Sequence, residues 1–302
     1  MFAVHVGLAT SAFALAALGG LTAACAGRDD QSRAAADAGG AVAAAAPATT
    51  AGATAVAPRV VTVTTSDYSF HAPSELPAGL TTFRLVNKGP SPHHVQLVRL
   101  DEGKTAADLV AALKAGGPPP SWVREAGGPN PAEVGEAATT TVGLEVGQYV
   151  LVCFITTADG TPHFLKGMTR PLTVTGPAVE AAEPAADVVM TLTDYDFSMS
   201  KPLTAGPHVI RVENAGPQAH EVTLVRLKPG KTPEDFAKWG SEQTGSAPGT
   251  LHGGVSGIMP GTHAFIHADL PAGDYALICW VPDAKDGRPH YAHGMSKRIK
   301  VS

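Results

Sequence analysis

From about residue 59 to the C-terminus, short apolar runs alternate with Gly- and Pro-bearing turns, and long helical periodicity is scarce. Val60-Val61-Thr62-Val63-Thr64-Thr65 and Val188-Val189-Met190-Thr191-Leu192-Thr193 are rich in β-branched residues and open as strands. Thr82 to Val86, His208 to Val212, Val95 to Leu100 and Val222 to Leu227 alternate polar with apolar, as half-buried strands do. Tyr149-Val150-Leu151-Val152-Cys153 and Tyr275-Ala276-Leu277-Ile278-Cys279 are almost wholly apolar, which suits central core strands. Leu172 to Val174 and Ile299 to Val301 close the pattern. Two short helices are predicted, over Ala106 to Lys114 and Pro233 to Trp239. Each follows a Thr (Thr105, Thr232) with an Asp three residues on (Asp108, Asp235), and the second carries Pro at its first position. Gly116 to Pro131 and Gly245 to Gly261 read as long loops, either binding surface or filler.

Every element in this list comes in pairs. Asp67-Tyr68-Ser69-Phe70 returns as Asp194-Tyr195-Asp196-Phe197, and Asn87-Lys88-Gly89-Pro90 as Asn214-Ala215-Gly216-Pro217. Val98-Arg99-Leu100 matches Val225-Arg226-Leu227. The offset is 126 or 127 throughout, a period that means a duplicated domain rather than a solenoid. The expected organisation is an all-β chain with one domain over 59–176, a Pro/Ala/Glu-rich linker over 177–186 and a second domain over 187–302, each with a short helix.

The N-terminal segment has another character. Val4 to Leu21 is apolar or small and runs into Thr22-Ala23-Ala24-Cys25, which resembles a bacterial lipobox. Residues 1–25 are thus expected to be an export signal, with Cys25 the lipidation site; ordinary signal cleavage near Ala24 would leave Cys25 a free thiol. Two acyl chains suffice for stable anchoring, at about 0.8 kcal/mol per buried CH₂. Residues 26–58 are Ala-rich and without aromatics, a tether. The expected location is exported, periplasmic or at the outer surface, with a membrane contact through lipid. A net charge of −5 with 16% charged residues and no basic stripe excludes a nucleic-acid partner.

The chemistry lies in the repeat. Cys153 is followed by His163 and Met168, and Cys279 by His290 and Met295; apart from Cys25 these are the only cysteines in the 302 residues. A second imidazole lies far upstream, at His93 and His220, after Gly-Pro-x-x. Pairing the copies separates neighbours: His93 aligns with His220, so His94 aligns with Glu221. His163 and His290 both follow Pro, so His293 stands opposite Lys166. Two imidazoles, a thiolate and a thioether make the donor set of a mononuclear copper electron-transfer site. Singly, a Cys on an apolar strand is a small hydrophobe; four donors in one order, twice, are hard to obtain from packing. A Cys153–Cys279 disulfide is the competing reading for an exported protein. His71, His208, His252, His263 and His267 are scattered, and most read as surface residues.

On these residues each copy resembles a cupredoxin, the type 1 (blue) copper domain: a Gly-x-Tyr-x-x-x-Cys strand, then His, then Gly-Met on one ligand loop, with a distant His. The resemblance covers about residues 59–302 and implies two tandem Greek-key β-sandwiches. It implies one copper held by His93, Cys153, His163 and Met168, and a second held by His220, Cys279, His290 and Met295. The Cys-to-His loop is longer than in plastocyanin-like proteins and nearer that of copper nitrite reductases. Multicopper oxidases and nitrite reductases carry further His ligands, one of them just before the Cys or in His-x-His pairs. Val152 and Ile278 stand there in this chain, so the expectation is a non-enzyme that passes single electrons to a redox protein partner. His163 and His290 would be the electron exits, amid an apolar patch of Pro162, Phe164, Leu165, Pro289 and Tyr291. A copper chaperone or buffer, and a metal-free interaction module, are the alternatives.

Overall fold

The computed structural model describes residues 56–302 apart from Pro118. The lipidation site Cys25, the export signal and nearly all of the tether lie outside the described residues. No helix among the described residues is long and apolar enough to cross a membrane.

The first half contains β1 (Arg59–Ser66), β2 (Ser69–His71), β3 (Glu75–Asn87), β4 (Gln96–Leu100), α1 (Ala106–Ala115), β5 (Val123–Glu125), β6 (Ala137–Leu144), β7 (Gly147–Val152) and β8 (Thr169–Val179). The second contains β9 (Val188–Thr193), β10 (Asp196–Met199), β11 (Gly206–Asn214), β12 (His220–Leu227), α2 (Pro233–Glu242), β13 (Gly249–Ile258), β14 (His263–Leu270), β15 (Gly273–Ile278) and β16 (Ser296–Val301). β8 continues through Val179, pairing with Gly79 of β3, so the segment read as linker begins as strand.

The second half is a sandwich of a β10-β9-β11-β14 sheet over a β13-β12-β15-β16 sheet. The first half repeats this with β2-β1-β3-β6 over β5-β4-β7-β8. Its long β3 joins both layers, because Glu75 to Pro77 pair in parallel with β8 while the rest of the strand pairs with β1 and β6. Alternation of inward and outward residues is clean on β1 and β9. β7 and β15 are buried almost throughout, as their continuous apolar runs require. Each helix lies outside its sandwich. Fully buried Leu109 of α1 clusters with Val98, Val150 and Val152, and Phe236 of α2 with Val225 and Ile278. Burying a side chain of this size contributes roughly 1.5–3 kcal/mol. Both helices begin with a complete capping box, at Thr105/Asp108 and Thr232/Asp235.

The halves share a continuous sheet. β14 pairs antiparallel with β6, with Phe265 opposite Thr141, Ile266 opposite Thr140 and His267 opposite Thr139. Thr140 and Ile266 are equivalent positions of the 126-residue repeat, so the pair sits on a local two-fold axis. A second contact obeys the same axis: Ala126 bridges Ile258, Pro129 bridges Val255 and Ala132 bridges His252. The two segments that read as loops therefore form the seam between halves, and the second of them is the ten-residue strand β13. Their glycines disguised them. Gly254 has φ 132°, and a Cβ there would lie 2.0 Å from the Val222 carbonyl oxygen; only glycine lets the backbones approach so closely.

Candidate metal centres

His93 stands just before β4, Cys153 just after β7, His163 opens a 3-10 turn over His163–Lys166, and Met168 precedes β8. The turn is built by its flanks. Pro162 holds the extended entry, and Gly167 ends it at φ 101°, where its N–H meets the carbonyls of His163 and Phe164. The donors are then stapled through the backbone: Phe164 N–H donates to the Cys153 carbonyl (3.0 Å), Met168 N–H to that of His163 (3.0 Å) and Cys153 N–H to that of Met168 (3.3 Å). The second half repeats the set, from Tyr291 to Cys279 (2.9 Å), Met295 to His290 (3.0 Å) and Cys279 to Met295 (3.1 Å). The long Cys-to-His loop closes on itself, through bridges between Thr156 and Pro162 and between Pro282 and Pro289. The residues between these bridges form an excursion from the ligand loop.

Side chains converge accordingly. His93 Nδ1 lies 3.2 Å from His163 Nδ1, and Cys153 Sγ 3.5 Å from His163 Nδ1. In the second half the same distances are 3.0 Å for His220 to His290 and 3.3 Å for Cys279 to His290. Within each trio the donor atoms all lie within 4.8 Å of one another. Met168 and Met295 are fully buried, as are both cysteines, which are free thiols rather than a disulfide. The structure thus brings together three donors of each expected quartet by side chain, with the fourth attached to them through the backbone.

Two carboxylates that sequence reasoning passed over complete the arrangement. Asp67 Oδ1 is 2.7 Å from His93 Nε2, and Asp194 Oδ1 is 2.6 Å from His220 Nε2. Ser91 Oγ donates to Asp67 (2.9 Å) and Gln218 Nε2 to Asp194 (2.8 Å). The signal was present in the repeated Asp-Tyr of Asp67-Tyr68 and Asp194-Tyr195. The Gly of each Gly-Pro-x-x-His has a reason in the same place. A Cβ on Gly89 would fall 2.7 Å from His93 Nε2, and one on Gly216 2.5 Å from His220 Nε2.

The donor chemistry fits a cation. The carboxylate fixes the His93 proton on Nε2, leaving Nδ1 a bare lone pair that faces His163 Nδ1. With its own proton on Nε2, His163 brings a second lone pair to the same point. With the proton on Nδ1, it leaves a bare, buried Nε2. That atom has no hydrogen-bond partner, and neither does His290 Nε2. Burial, then the neighbouring imidazole, lowers both His163 and His290 to about 4, so all stay neutral near neutral pH, as metal ligands must be. Burial pushes the Cys153 thiol up to about 12, and Cys279 well up as well, so a thiolate there needs a positive charge beside it. A soft, monovalent or divalent copper ion suits thiolate, imidazole and thioether together.

The neighbours divide as the alignment of copies indicates. His94 is buried but turned away from the trio, its Nε2 accepting from Phe154 N–H (2.8 Å); Glu221 Oε1 does the same for Trp280 N–H (3.0 Å). His293 belongs to a third donor group with Asp283 and Asp286, whose oxygens already accept from Tyr195, Gln218 and backbone amides of their own turn. Both downstream histidines are enclosed: His163 is 1% exposed and His290 is fully buried. Tyr68 packs edge-on against His163 at 4.8 Å and Tyr195 against His290 at 5.3 Å. Of the expected apolar patch, Phe164 is buried against Phe154, while Leu165 remains exposed. His208 is also buried rather than superficial, held by Asp187 at 2.6 Å.

No protein-family model and no curated protein matches the chain. Solved structures do. Auracyanin A, a blue copper protein from Chloroflexus aurantiacus, is 23% identical over 39% of this chain and 99% of its own, with a TM-score of 0.29. Auracyanin from Roseiflexus castenholzii is 21% identical over 40% and 99%, with a TM-score of 0.27. A copper-containing nitrite reductase from Thermus scotoductus is 13% identical over 82% of this chain and 62% of its own, with a TM-score of 0.25. The two halves are cupredoxin-like β-sandwiches, as their strands and ligand loops define. The expectation of a non-enzyme is corrected here, because the matching structures include that reductase and multicopper oxidases. The physical reason is that one scaffold hosts carriers and catalysts alike, and the residues before the two cysteines test only one ligand layout.

Proposed function

We propose that the chain is an exported copper protein with two type 1 sites, each moving single electrons. His93, Cys153, His163 and Met168 would hold one copper, and His220, Cys279, His290 and Met295 the other. The observation that carries this reading is the convergence, twice, of two imidazole Nδ1 atoms and one buried thiol on one point. Bound there, copper would supply a one-electron couple between a state that favours the thiolate and thioether and one that accepts imidazole.

The chain's own residues do the rest. Asp67 and Asp194 hold the upstream imidazoles with Nδ1 inward. The backbone staples keep Cys, His and Met in register, so little rearranges when charge changes. Tyr68 and Tyr195 cover the downstream imidazoles, and full burial keeps water from the cysteines. Enclosed donors of this kind support redox use over an open site built for handing metal on. Anchoring through Cys25, a periplasmic or outer-surface location and a redox protein partner complete the reading.

The test is copper stoichiometry and visible absorption of the chain lacking residues 1–25, beside Cys153→Ser and Cys279→Ser. Two coppers with intense thiolate-to-copper absorption are expected, each variant losing one copper and its share of the colour. Colourless copper-loaded protein would sink the reading.

A further inference from the structure

The residues beside the ligands, one from each half, meet across the seam. Phe154, which follows Cys153, donates its N–H to His94 Nε2 at 2.8 Å. That bond places the remaining His94 proton on Nδ1, which donates to Asn130 Oδ1 at 3.3 Å. Asn130 Nδ2 reaches Glu221 Oε2 at 3.5 Å, and Glu221 Oε1 accepts from the N–H of Trp280 at 3.0 Å. Trp280 follows Cys279. His94 and Glu221 themselves follow His93 and His220, so each end is tied to two donors of its own trio. His94 (8%), Asn130 (1%) and Glu221 (6%) are all buried.

Asn130 is placed for this task by the local two-fold. Its repeat equivalent, 126 residues on, is Ser256, whose Oγ donates to Asn130 Oδ1 at 3.1 Å. Its Nδ2, with two protons to share, also lies within hydrogen-bond reach of the Val222 carbonyl (3.1 Å), Thr223 Oγ1 (3.0 Å) and the Val255 carbonyl (3.2 Å). A side chain of the first half is thus locked into the second. The repeat has broken its own symmetry at these positions, with His opposite Glu and Asn opposite Ser, and in each case the exchange supplies a matching donor or acceptor.

We propose that the His94–Asn130–Glu221 chain couples the two ligand sets and carries one electron between them, making the molecule a two-centre relay. The proposal rests on the reading that both sets hold copper. With copper held by both sets, one electron would pass from the second set, going from copper(I) to copper(II), to the first, going from copper(II) to copper(I). No bond breaks and no proton leaves the chain. Direction follows from charges that differ between equivalent positions. Lys166, 5.1 Å over the Tyr68 ring that covers His163, is replaced in the second half by His293. Thr157, four residues after Cys153, is replaced by Asp283, whose Oδ2 is 3.8 Å from His290 Nε2. Lys166 also pairs with Asp159 at 3.7 Å, which moderates its share. Both differences favour the lower charge state at the first set and the higher at the second.

The test uses the full chain loaded with copper. A brief pulse of a one-electron reductant is followed by the visible absorption of the two sites, told apart by Cys153→Ser and Cys279→Ser. A relay gives an equilibration phase whose rate is independent of protein concentration and which ends with the electron on the first site. His94→Leu removes the link and should slow that phase several-fold. His94→Gln keeps an acceptor for Phe154 and a donor for Asn130, and should restore it. Amide exchange in the metal-free chain supplies a readout free of copper: the Phe154 and Trp280 amides should be protected, and Phe154 should lose protection in His94→Leu. Equilibration that scales with protein concentration, or an unchanged rate in a His94→Leu chain that still binds two coppers, overturns the relay and leaves the copper assignment standing. A final electron on the second site overturns the direction. Uptake of fewer than two coppers overturns both readings.

Discussion

Asp67 and Asp194 touch an imidazole of each candidate set, and would act on a bound metal only through it. A carboxylate on the far nitrogen fixes ring orientation, holds the proton away from the donor atom and raises its basicity. Asp67→Asn keeps the shape of the contact but removes the charge. Copper affinity of the first set should fall by about 10–100-fold, with the second set unchanged, as read by competition titration against a chelator. The mirror variant Asp194→Asn should do the reverse. An equal fall at both sites would mean that the carboxylates act through the fold rather than through their own histidines. The candidate donors were legible in the sequence because Cys, His and Met are few and the copies can be compared position by position. The two aspartates were equally visible as part of the repeat but carried no sign of their role, since the contact spans 26 residues of sequence.

At the scale of elements, the glycines of the seam are the sharpest test. Gly254 sits at φ 132° against the Val222 carbonyl, and Gly128, its equivalent, at φ 125° with a Cβ position 2.2 Å from the Val95 carbonyl. Gly254→Ala must shift a backbone as well as adopt an unfavourable dihedral, and is expected to cost at least about 1–3 kcal/mol in urea unfolding. Gly261→Ala, also at positive φ (74°) but with nothing near its Cβ position, should cost less. By the same logic Thr232→Ala removes the capping box of α2 and should cost about 1 kcal/mol. Both helices were readable from their caps. β13 was not, because a strand with Gly253 and Gly254 in its middle has the composition of a loop, and only its pairing with β12 reveals it.

For the whole molecule, the seam carries a buried acid that gives stability a pH signature. Glu125 Oε2 is enclosed at the seam, close to Gly257 of β13, and has no hydrogen-bond partner. Burial raises this carboxyl to about 7. The folded chain therefore keeps a proton that the unfolded chain has already released, and Glu125 favours folding less and less as pH climbs from the ordinary carboxylate range to about 7. The buried imidazoles have the opposite slope, since acid must charge them, so the raw profile mixes the two. Glu125→Gln isolates the acid: relative to the native chain, its unfolding midpoint in urea should gain between about pH 4.5 and pH 7 and level off above that. A difference that stays flat across that window would place the carboxylate in water.

The sequence by itself determined most of the strands, the two capped helices, the repeat and the candidate donors, because each is written in local periodicity or in rare residues at matched spacing. Tertiary structure alone decided the rest. It turned two apparent loops into a shared seam, enclosed both downstream histidines and brought His94, Asn130 and Glu221 into one hydrogen-bonded chain. Those three residues are 36 and 91 positions apart, and no local pattern links them. What joins them is the two-fold packing of one half on the other, a property of where backbones meet rather than of any stretch of chain.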